Sequence, residues 1–195
     1  ADDDAFITAL ITAIRERFES FALRSVITQT WTLWLDGFPA ASKKGAPGDG
    51  NFELPVSHFD AVKRVLEIPR PRLLSVAFIK TYDTENSATV FASSNYFVDT
   101  ASSPGRIALN QGANWPVSLR AVNAVEIEFS AGYGSADAVP DSIKQGILLW
   151  MKLLFADKSK LFESDESTSG LADFNRVPIP LVVKSLWESH RVVKF

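Results

Sequence analysis

The N-terminal stretch of the chain carries apolar side chains at helical spacing. Phe6, Leu10 and Ile14 recur at intervals of four residues, while polar residues fill the opposite side. This pattern predicts an amphipathic helix that ends at about Ala22. The acidic residues 2–4 precede the apolar pattern, and we expect them to cap the helix at the positive end of its dipole.

After Val26 the apolar positions alternate with polar ones, which predicts β-strands. Trp31 and Trp34 lie on opposite faces of the first strand, predicted within residues 26–38. Turn-forming residues separate the later strands. Pro104 with Gly105 suits the centre of a type II turn, where glycine accepts a positive φ. The later strands are predicted over residues 73–82, 88–91, 96–99, 106–109 and 125–129.

A second long helix is predicted after Pro140, because proline is tolerated at the start of a helix. This helix is apolar on nearly all sides, so its own domain or a neighbouring subunit must bury it. Shorter helices are predicted over residues 58–66 and 181–189, and polar loops over residues 39–50 and 158–176. The expected subunit-interface positions of the long helix are Ile143, Ile147, Trp150, Met151 and Leu154.

These elements together predict an α+β fold. Its helical core consists of the N-terminal helix, the long second helix and a short C-terminal helix. An antiparallel β region is inserted at about residues 25–134. We expect residues 1–195 to form a single domain with a C-terminal docking segment at about residues 178–195.

The C-terminal tail is apolar and basic, although chain ends usually fray in solvent. Val192, Val193 and Phe195 are apolar, and Arg191 and Lys194 carry positive charge. This composition predicts a peptide that docks on another surface. The alternative is a strand or cap that packs on its own domain.

Composition narrows the class of protein. The 195 residues are 46% hydrophobic and 22% charged, which is typical of a globular domain with a sizeable core. The net charge of -3 argues against a general nucleic-acid binder. The absence of cysteine excludes disulfides and thiolate metal sites. No apolar run is long enough to span a bilayer.

Candidate catalytic groups are sparse. The two histidines, His58 and His190, lie far apart and lack the spacing of a zinc protease. Gly132 and Gly134 lack the other residues of a nucleotide-binding loop, so we expect a turn with positive φ there. No serine lies in a nucleophile elbow. We therefore expect no enzymatic activity, no metal and no cofactor.

Two sets of residues leave alternatives open. Glu126 and Glu128 share one strand face. Four interpretations of the pair stay open: acid–base catalysis, a solvated face, contact with basic residues of a partner, or the lining of a channel. The five tryptophans are interface anchors, core residues or a carbohydrate-binding platform. A tryptophan-based sugar- or peptide-binding module is therefore the rival to a purely structural role.

A series of segments that touch most of the chain carries a family likeness. They are residues 26–39 (VITQTWTLWLDGFP), 69–76 (PRPRLLSV), 96–107 (YFVDTASSPGRI), 114–116 (NWP), 123–134 (NAVEIEFSAGYG), 139–149 (VPDSIKQGILL) and 179–191. In this order they resemble the gp6-like head-tail connectors, or adaptors, of tailed phages and phage-like gene transfer particles. Each segment is short, and the shared order makes the resemblance fairly specific. Residues 43–68 are longer than the family's usual connection, and the family usually has a further N-terminal segment.

The resemblance implies a structural subunit of a virion neck, assembled in the cytoplasm of a bacterial host. Family members form a ring, typically dodecameric, through which DNA passes without sequence-specific binding. The implied partners are the portal protein on one side and a stopper or tail-terminator protein on the other, with no membrane. The rival is then a binding module of a phage surface or baseplate protein. The family's C-terminal segment commonly reaches the portal, which corresponds here to Leu186, Trp187, Arg191, Val192, Val193, Lys194 and Phe195.

Overall fold

The computed structural model of the protein describes residues 2–39, 64–156 and 177–192. The chain forms two compact units. The helical unit combines Ala1–Ile27 with Tyr133–Phe195, and the β unit is Thr28–Gly132. No helix in the described part of the chain is long and apolar enough to cross a membrane.

The described α-helices of the helical unit are α1 (Asp2–Ala22), α2 (Asp141–Ala156) and α3 (Leu181–Trp187). A turn of 3-10 helix, Glu188–His190, follows α3. Because α1 begins at Asp2, residues 2–4 form its first turn and do not precede it as a cap, which corrects the expected position. The largest fully buried side chains in the core of this unit are Leu10, Ile14, Phe18, Ile143, Trp150 and Trp187.

Two antiparallel sheets form the β unit. The four-stranded sheet has the order β1–β7–β3–β4, and the three-stranded sheet has the order β2–β6–β5. An α+β fold with an inserted antiparallel β region is therefore confirmed. The strands are β1 (Gln29–Leu35), β2 (Val65–Glu67), β3 (Leu73–Tyr82), β4 (Ala88–Val90), β5 (Tyr96–Asp99), β6 (Arg106–Leu109) and β7 (Val125–Ala131).

The alternation of apolar and polar residues decides which side of each strand is buried. In β7 the side chains of Val125, Ile127 and Phe129 are buried, and the residues between them are half-buried. In β1 Trp31 is half-buried, while Trp34 on the opposite face is exposed. The predicted faces of both strands are confirmed.

The helix predicted over residues 58–66 is wrong at its C-terminal end, where Val65–Glu67 form β2. Leu66 opposes Ile107 of β6, and both side chains are buried. A short apolar run is compatible with either helix or strand, and pairing with β6 decides the outcome. Residues 58–63, and the loops predicted over residues 40–50 and 158–176, lie outside the described residues.

Glycines mark two tight points of the backbone. Gly132 and Gly134 have φ angles of 142° and 83°, which confirms the predicted turn. Gly105 has no positive φ, so the expected type II turn is wrong. Glycine is needed there because a Cβ on Gly105 would lie 2.4 Å from the Cβ of Leu73.

Candidate functional site

Trp187, an expected portal-binding residue, lies at the centre of the core of the helical unit. It is 0% exposed, and its ring centroid lies 5.0 Å from that of Phe18 and 5.7 Å from that of Trp150. Its Nε1 donates to the carbonyl oxygen of Ile143 at 3.4 Å. A Cβ on Gly146 would lie 2.1 Å from this Nε1. Trp187 therefore stabilises its own fold and has no surface to offer a portal, which corrects the expectation.

Several contacts hold the last described residues against their own unit. The Nε of Arg24 donates to the carbonyl oxygen of His190. The backbone N–H of Val192 donates to the carbonyl oxygen of Ala22 at 3.0 Å. The side chain of Arg191 stays 51% exposed. The beginning of the tail thus packs on its own unit, as the alternative reading of the tail expects.

The other expected portal-binding residues fall into two groups. Leu186 and Val192 are half-buried and Arg191 is exposed, so all three are partly accessible at the surface. Val193, Lys194 and Phe195 lie outside the described residues. Portal binding by these six residues stays a prediction.

A serine–histidine hydrogen bond joins α2 to the C-terminal segment. The Ser142 hydroxyl lies 2.7 Å from Nε2 of His190. Burial lowers the pKa of His190, and the positive charge of Arg24 lowers it further. The fold therefore favours the neutral imidazole.

We expect the thermal stability of the protein to fall as the pH is lowered below 6.5, the ordinary pKa of histidine. In that range the unfolded chain binds a proton at residue 190 and the folded chain resists it, so protonation favours unfolding. Above pH 6.5 the imidazole is neutral in both the folded and the unfolded chain, so it does not change the stability. The loss of stability is complete once the pH is below the pKa of His190 in the folded protein.

Melting temperatures measured between about pH 7.5 and 5.5 test this expectation, in the range where histidine titrates. His190→Gln keeps a hydrogen-bonding group beside Ser142 but does not titrate, so its melting temperature should decrease less than that of the wild type. Equal decreases for the two proteins would contradict the assignment.

The expected subunit-interface positions on α2 have different surroundings. Ile143 and Trp150 are 0% and 1% exposed, so they are core residues of their own chain and cannot contact a neighbour, which corrects the expectation. Ile147, Met151 and Leu154 are partly buried against this core. For these three, subunit contact stays a prediction.

The most exposed large apolar side chains among the described residues of the helical unit were not singled out from the sequence. On α2 they are Leu148, 48% exposed, and Leu153, 45% exposed. On α3 they are Leu181, 84% exposed, and Val182, 52% exposed. For the α2 positions, the sequence signal that could have identified them is that this helix is apolar on nearly all sides. Only one face of such a helix packs on its own core, so apolar side chains on the other faces remain exposed. These positions join the candidate contact surface.

Glu126 and Glu128 lie on the outer face of the four-stranded sheet. The Tyr82 hydroxyl donates to Glu126 at 2.6 Å, and Nζ of Lys80 lies 4.0 Å from the same carboxylate. The hydrogen bond to Glu126 raises the pKa of Tyr82, as do burial and the charge of Glu126, while Arg120 opposes them. The Glu126 side chain is only 15% exposed, so it is held within the sheet face and does not form an open acidic wall. Both residues are half-buried, and channel lining stays a prediction for Glu126 and Glu128.

The tryptophans do not form a shared exposed platform. Two are buried in the helical unit. In the β unit the guanidinium of Arg70 lies 4.4 Å from the ring centroid of Trp31, and Trp115 stacks on Phe38 with centroids 4.3 Å apart. Trp34 is 43% exposed. A sugar platform of several coplanar exposed rings is therefore not formed by the tryptophans.

An open pocket of about 800 Å3 lies in the β unit. Its wall includes the stacked rings of Phe38 and Trp115 and the side chains of Arg64 and Arg120. Both guanidinium groups donate to backbone carbonyl oxygens, Arg64 to that of Leu109 at the end of β6 and Arg120 to that of Asn123. The arginines therefore stabilise the wall, and the aromatic pair supplies its apolar surface.

Within residues 2–39, 64–156 and 177–192 no group of three or more acidic or histidine side chains could hold a metal ion. The Ser142–His190 pair has the residue types of a nucleophile and its base. Such a base is usually oriented by a third group, and no carboxylate of the described residues contacts His190. The pair is best explained as a structural hydrogen bond that holds the 3-10 turn Glu188–His190 against α2.

The fold defined by these elements is a small helical unit interrupted by an inserted β unit with two antiparallel sheets. No family model matches the sequence, and no curated protein matches it. Solved structures do share the fold. One is a chain from the neck of an empty gene transfer agent (GTA) particle computed with C6 symmetry, with a TM-score of 0.66 and 19% identity over 98% of this chain and 80% of that chain.

A second similar structure is a chain from the neck of a native GTA particle computed with C12 symmetry. Its TM-score is 0.66 and its identity 18%, over 98% of this chain and 84% of that chain. A chain from the virion of a native GTA particle has a TM-score of 0.64 and 18% identity, over 98% of this chain and 79% of that chain. At these identities the likeness shows a common fold.

Proposed function

We propose that the chain is a non-enzymatic structural subunit of a virion neck, a gp6-like head-tail adaptor. Its copies form a ring, dodecameric in the family, between the portal and a stopper or tail-terminator protein. DNA passes through this ring without sequence-specific binding. The subunit needs no cofactor and is assembled into the particle in the cytoplasm of the host.

The observation that carries the proposal is the agreement in fold over 98% of the chain with chains from GTA necks. The ordered sequence segments that resemble head-tail connectors support it independently. A ring of identical copies needs two different contact surfaces on each copy. The exposed apolar positions on α2 and α3, and the edges of the β unit, offer such surfaces.

Electron microscopy of the purified chain mixed with the portal ring of the same particle tests the proposal. We expect a ring of the chain stacked on one face of the portal, coaxial with its channel. Binding of separate copies around the outer wall, or no binding at all, would exclude the adaptor role.

Truncation after Val192 should abolish portal binding without unfolding the protein. The deletion removes Val193, Lys194 and Phe195 and keeps the hydrogen bond of Val192 to Ala22. The described hydrogen bonds that hold the C-terminal segment on its own unit are all kept, so the melting temperature should not change. Co-sedimentation with portal measures binding.

The matched control for this truncation is Lys152→Gln, which removes an exposed positive charge from α2 and leaves the tail intact. It should bind portal like the wild type. Undiminished binding by the truncated chain would show that the tail is not the docking element.

The open pocket favours the second candidate function, a module that binds carbohydrate or peptide. A saturable change of tryptophan fluorescence on titration with glycans or proline-rich peptides, lost in Trp115→Ala, would support it. We expect no such change, because both guanidinium groups of the wall are already bonded to the protein backbone.

A further inference from the structure

The four-stranded sheet of the β unit has two different edge strands. In the order β1–β7–β3–β4, every neighbouring pair is antiparallel. With four alternating strands, β1 and β4 run in opposite directions. A β1 strand from a second copy placed beside β4 therefore continues the antiparallel alternation. Edge strands carry backbone groups that are ready for such pairing.

One row of side chains crosses the whole sheet and ends in exposed apolar groups at both edges. Trp34 opposes Glu126, Glu126 opposes Lys80, and Lys80 opposes Val90. Trp34 is 43% exposed and Val90 is 60% exposed. Between them Lys80 and Glu126 lie 4.0 Å apart as an ion pair. The charges at the centre of the row are thus matched within the chain, while its apolar ends remain partly exposed.

We propose that the β4 edge of one copy pairs with the β1 edge of the next copy, with Val90 opposite Trp34 of that copy. The inference rests on the proposed function, because it supplies the head-to-tail contact that a ring requires. The occupant of each edge is a second copy of this chain.

Three features of the sheet support this occupant. The strand directions match, the exposed ends of the row match in position, and all three residues of β4 are exposed. An aromatic residue opposite a β-branched residue is a favourable cross-strand pair. Pairing of β1 with a second β1 would instead give closed two-fold dimers and leave every β4 edge unpaired.

Disulfide cross-linking tests the register directly, since the natural sequence contains no cysteine. Directly opposed residues of an antiparallel pair have Cα atoms about 4.5–5.5 Å apart, which is within the reach of a disulfide. Rings of the Trp34→Cys, Val90→Cys double variant, assembled alone or on portal, should give a ladder of covalent oligomers after oxidation.

The control for cross-linking is the Trp34→Cys, Val122→Cys double variant. Val122 is 64% exposed in a loop of the same unit, outside the proposed contact. This variant should give no ladder. A ladder from the control alone, or from neither variant in rings seen by microscopy, would overturn the edge contact.

A charge at the β4 edge provides a second test. In Val90→Glu the new carboxylate opposes Lys80 within its own sheet, so the fold should be preserved, but it must lose water against Trp34 of the next copy. Ring formation should fall at least about tenfold while the melting temperature stays unchanged. Val122→Glu should leave both unchanged.

The two proposals fail in different ways. If the wild type forms no ring alone or on portal, the proposed function is wrong and the edge contact with it. If the wild type forms rings, and Val90→Glu forms them equally well, only the edge contact is wrong.

Discussion

Replacement of Trp187 by alanine should lower the unfolding free energy of the helical unit by about 3–5 kcal/mol, the usual cost of removing a buried tryptophan. The indole ring of Trp187 has no exposed surface and contacts Phe18 and Trp150. Since domains are stable by only about 5–15 kcal/mol, the variant should be marginally folded. Guanidinium unfolding followed by the helical circular dichroism signal measures the loss.

The matched control is Trp34→Ala, because Trp34 is 43% exposed and lies 5.8 Å from Tyr82 between ring centroids. Loss of such an aromatic contact should cost about 1 kcal/mol. Similar losses for the two variants would contradict the central position of Trp187.

Gly146 provides a sharper test of the same packing. In the wild type, Gly146→Ala places a methyl group 2.1 Å from Nε1 of Trp187, and such overpacking costs about 1–3 kcal/mol. In the Trp187→Ala background the clash is absent, and alanine favours the helix by about 1 kcal/mol over glycine. The effect of the substitution should therefore change sign between the two backgrounds. If Gly146→Ala changes the stability in the same direction in both backgrounds, the indole ring of Trp187 does not require glycine at position 146.

Gly105→Ala should have the second largest effect, about 1–3 kcal/mol of destabilisation in the β unit. The new Cβ would lie 2.4 Å from the Cβ of Leu73, an atom fixed to the backbone of β3. The backbone of Gly105 cannot move away easily, because its carbonyl oxygen accepts a hydrogen bond from the N–H of Ile68 at 2.8 Å.

The loop before Gly105 is held as well. The carboxylate of Asp99 accepts hydrogen bonds from the Ser102 hydroxyl at 2.6 Å and from Arg106 at 2.7 Å. These bonds, that of Ser102 first, hold the pKa of Asp99 well below its usual range. Thermal unfolding measures the loss, with Gly37→Ala as control, since nothing lies within 4 Å of its added Cβ. A lower melting temperature in the control than in Gly105→Ala would refute the argument.

Much of the β unit follows from local sequence. The alternation of burial along a strand is a local property, and turn residues delimit each run, so the bounds of β3, β5 and β6 were predicted to the residue. Strand order was not predicted. β1 and β7 pair across nearly the whole insertion, and pairing between distant segments leaves no local pattern to read.

The candidate surfaces were less predictable, because apolarity alone does not say which face of a helix points inward. The sequence selected Ile143, Trp150 and Trp187 as contacts, and the structure buries all three. The face of α2 that points inward is the one on which Gly146 leaves room for the indole ring of Trp187. This contact joins two helices, α2 and α3, that are distant in sequence. The exposed positions Leu148 and Leu181 follow only once that contact is known.

The connection between the two units bears on how the chain folds. The insertion begins and ends on paired strands, with Gln29 opposite Ala131, so its ends lie about 4.5–5.5 Å apart. Next to these ends, the carbonyl oxygen of Val26 accepts a hydrogen bond from the N–H of Tyr133 at 3.1 Å. Because its two ends are so close, a folded insertion connects the segments that carry α1 and α2 over no more distance than a tight turn would. A β unit that folds first removes the loop-closure entropy that otherwise opposes the meeting of α1 and α2.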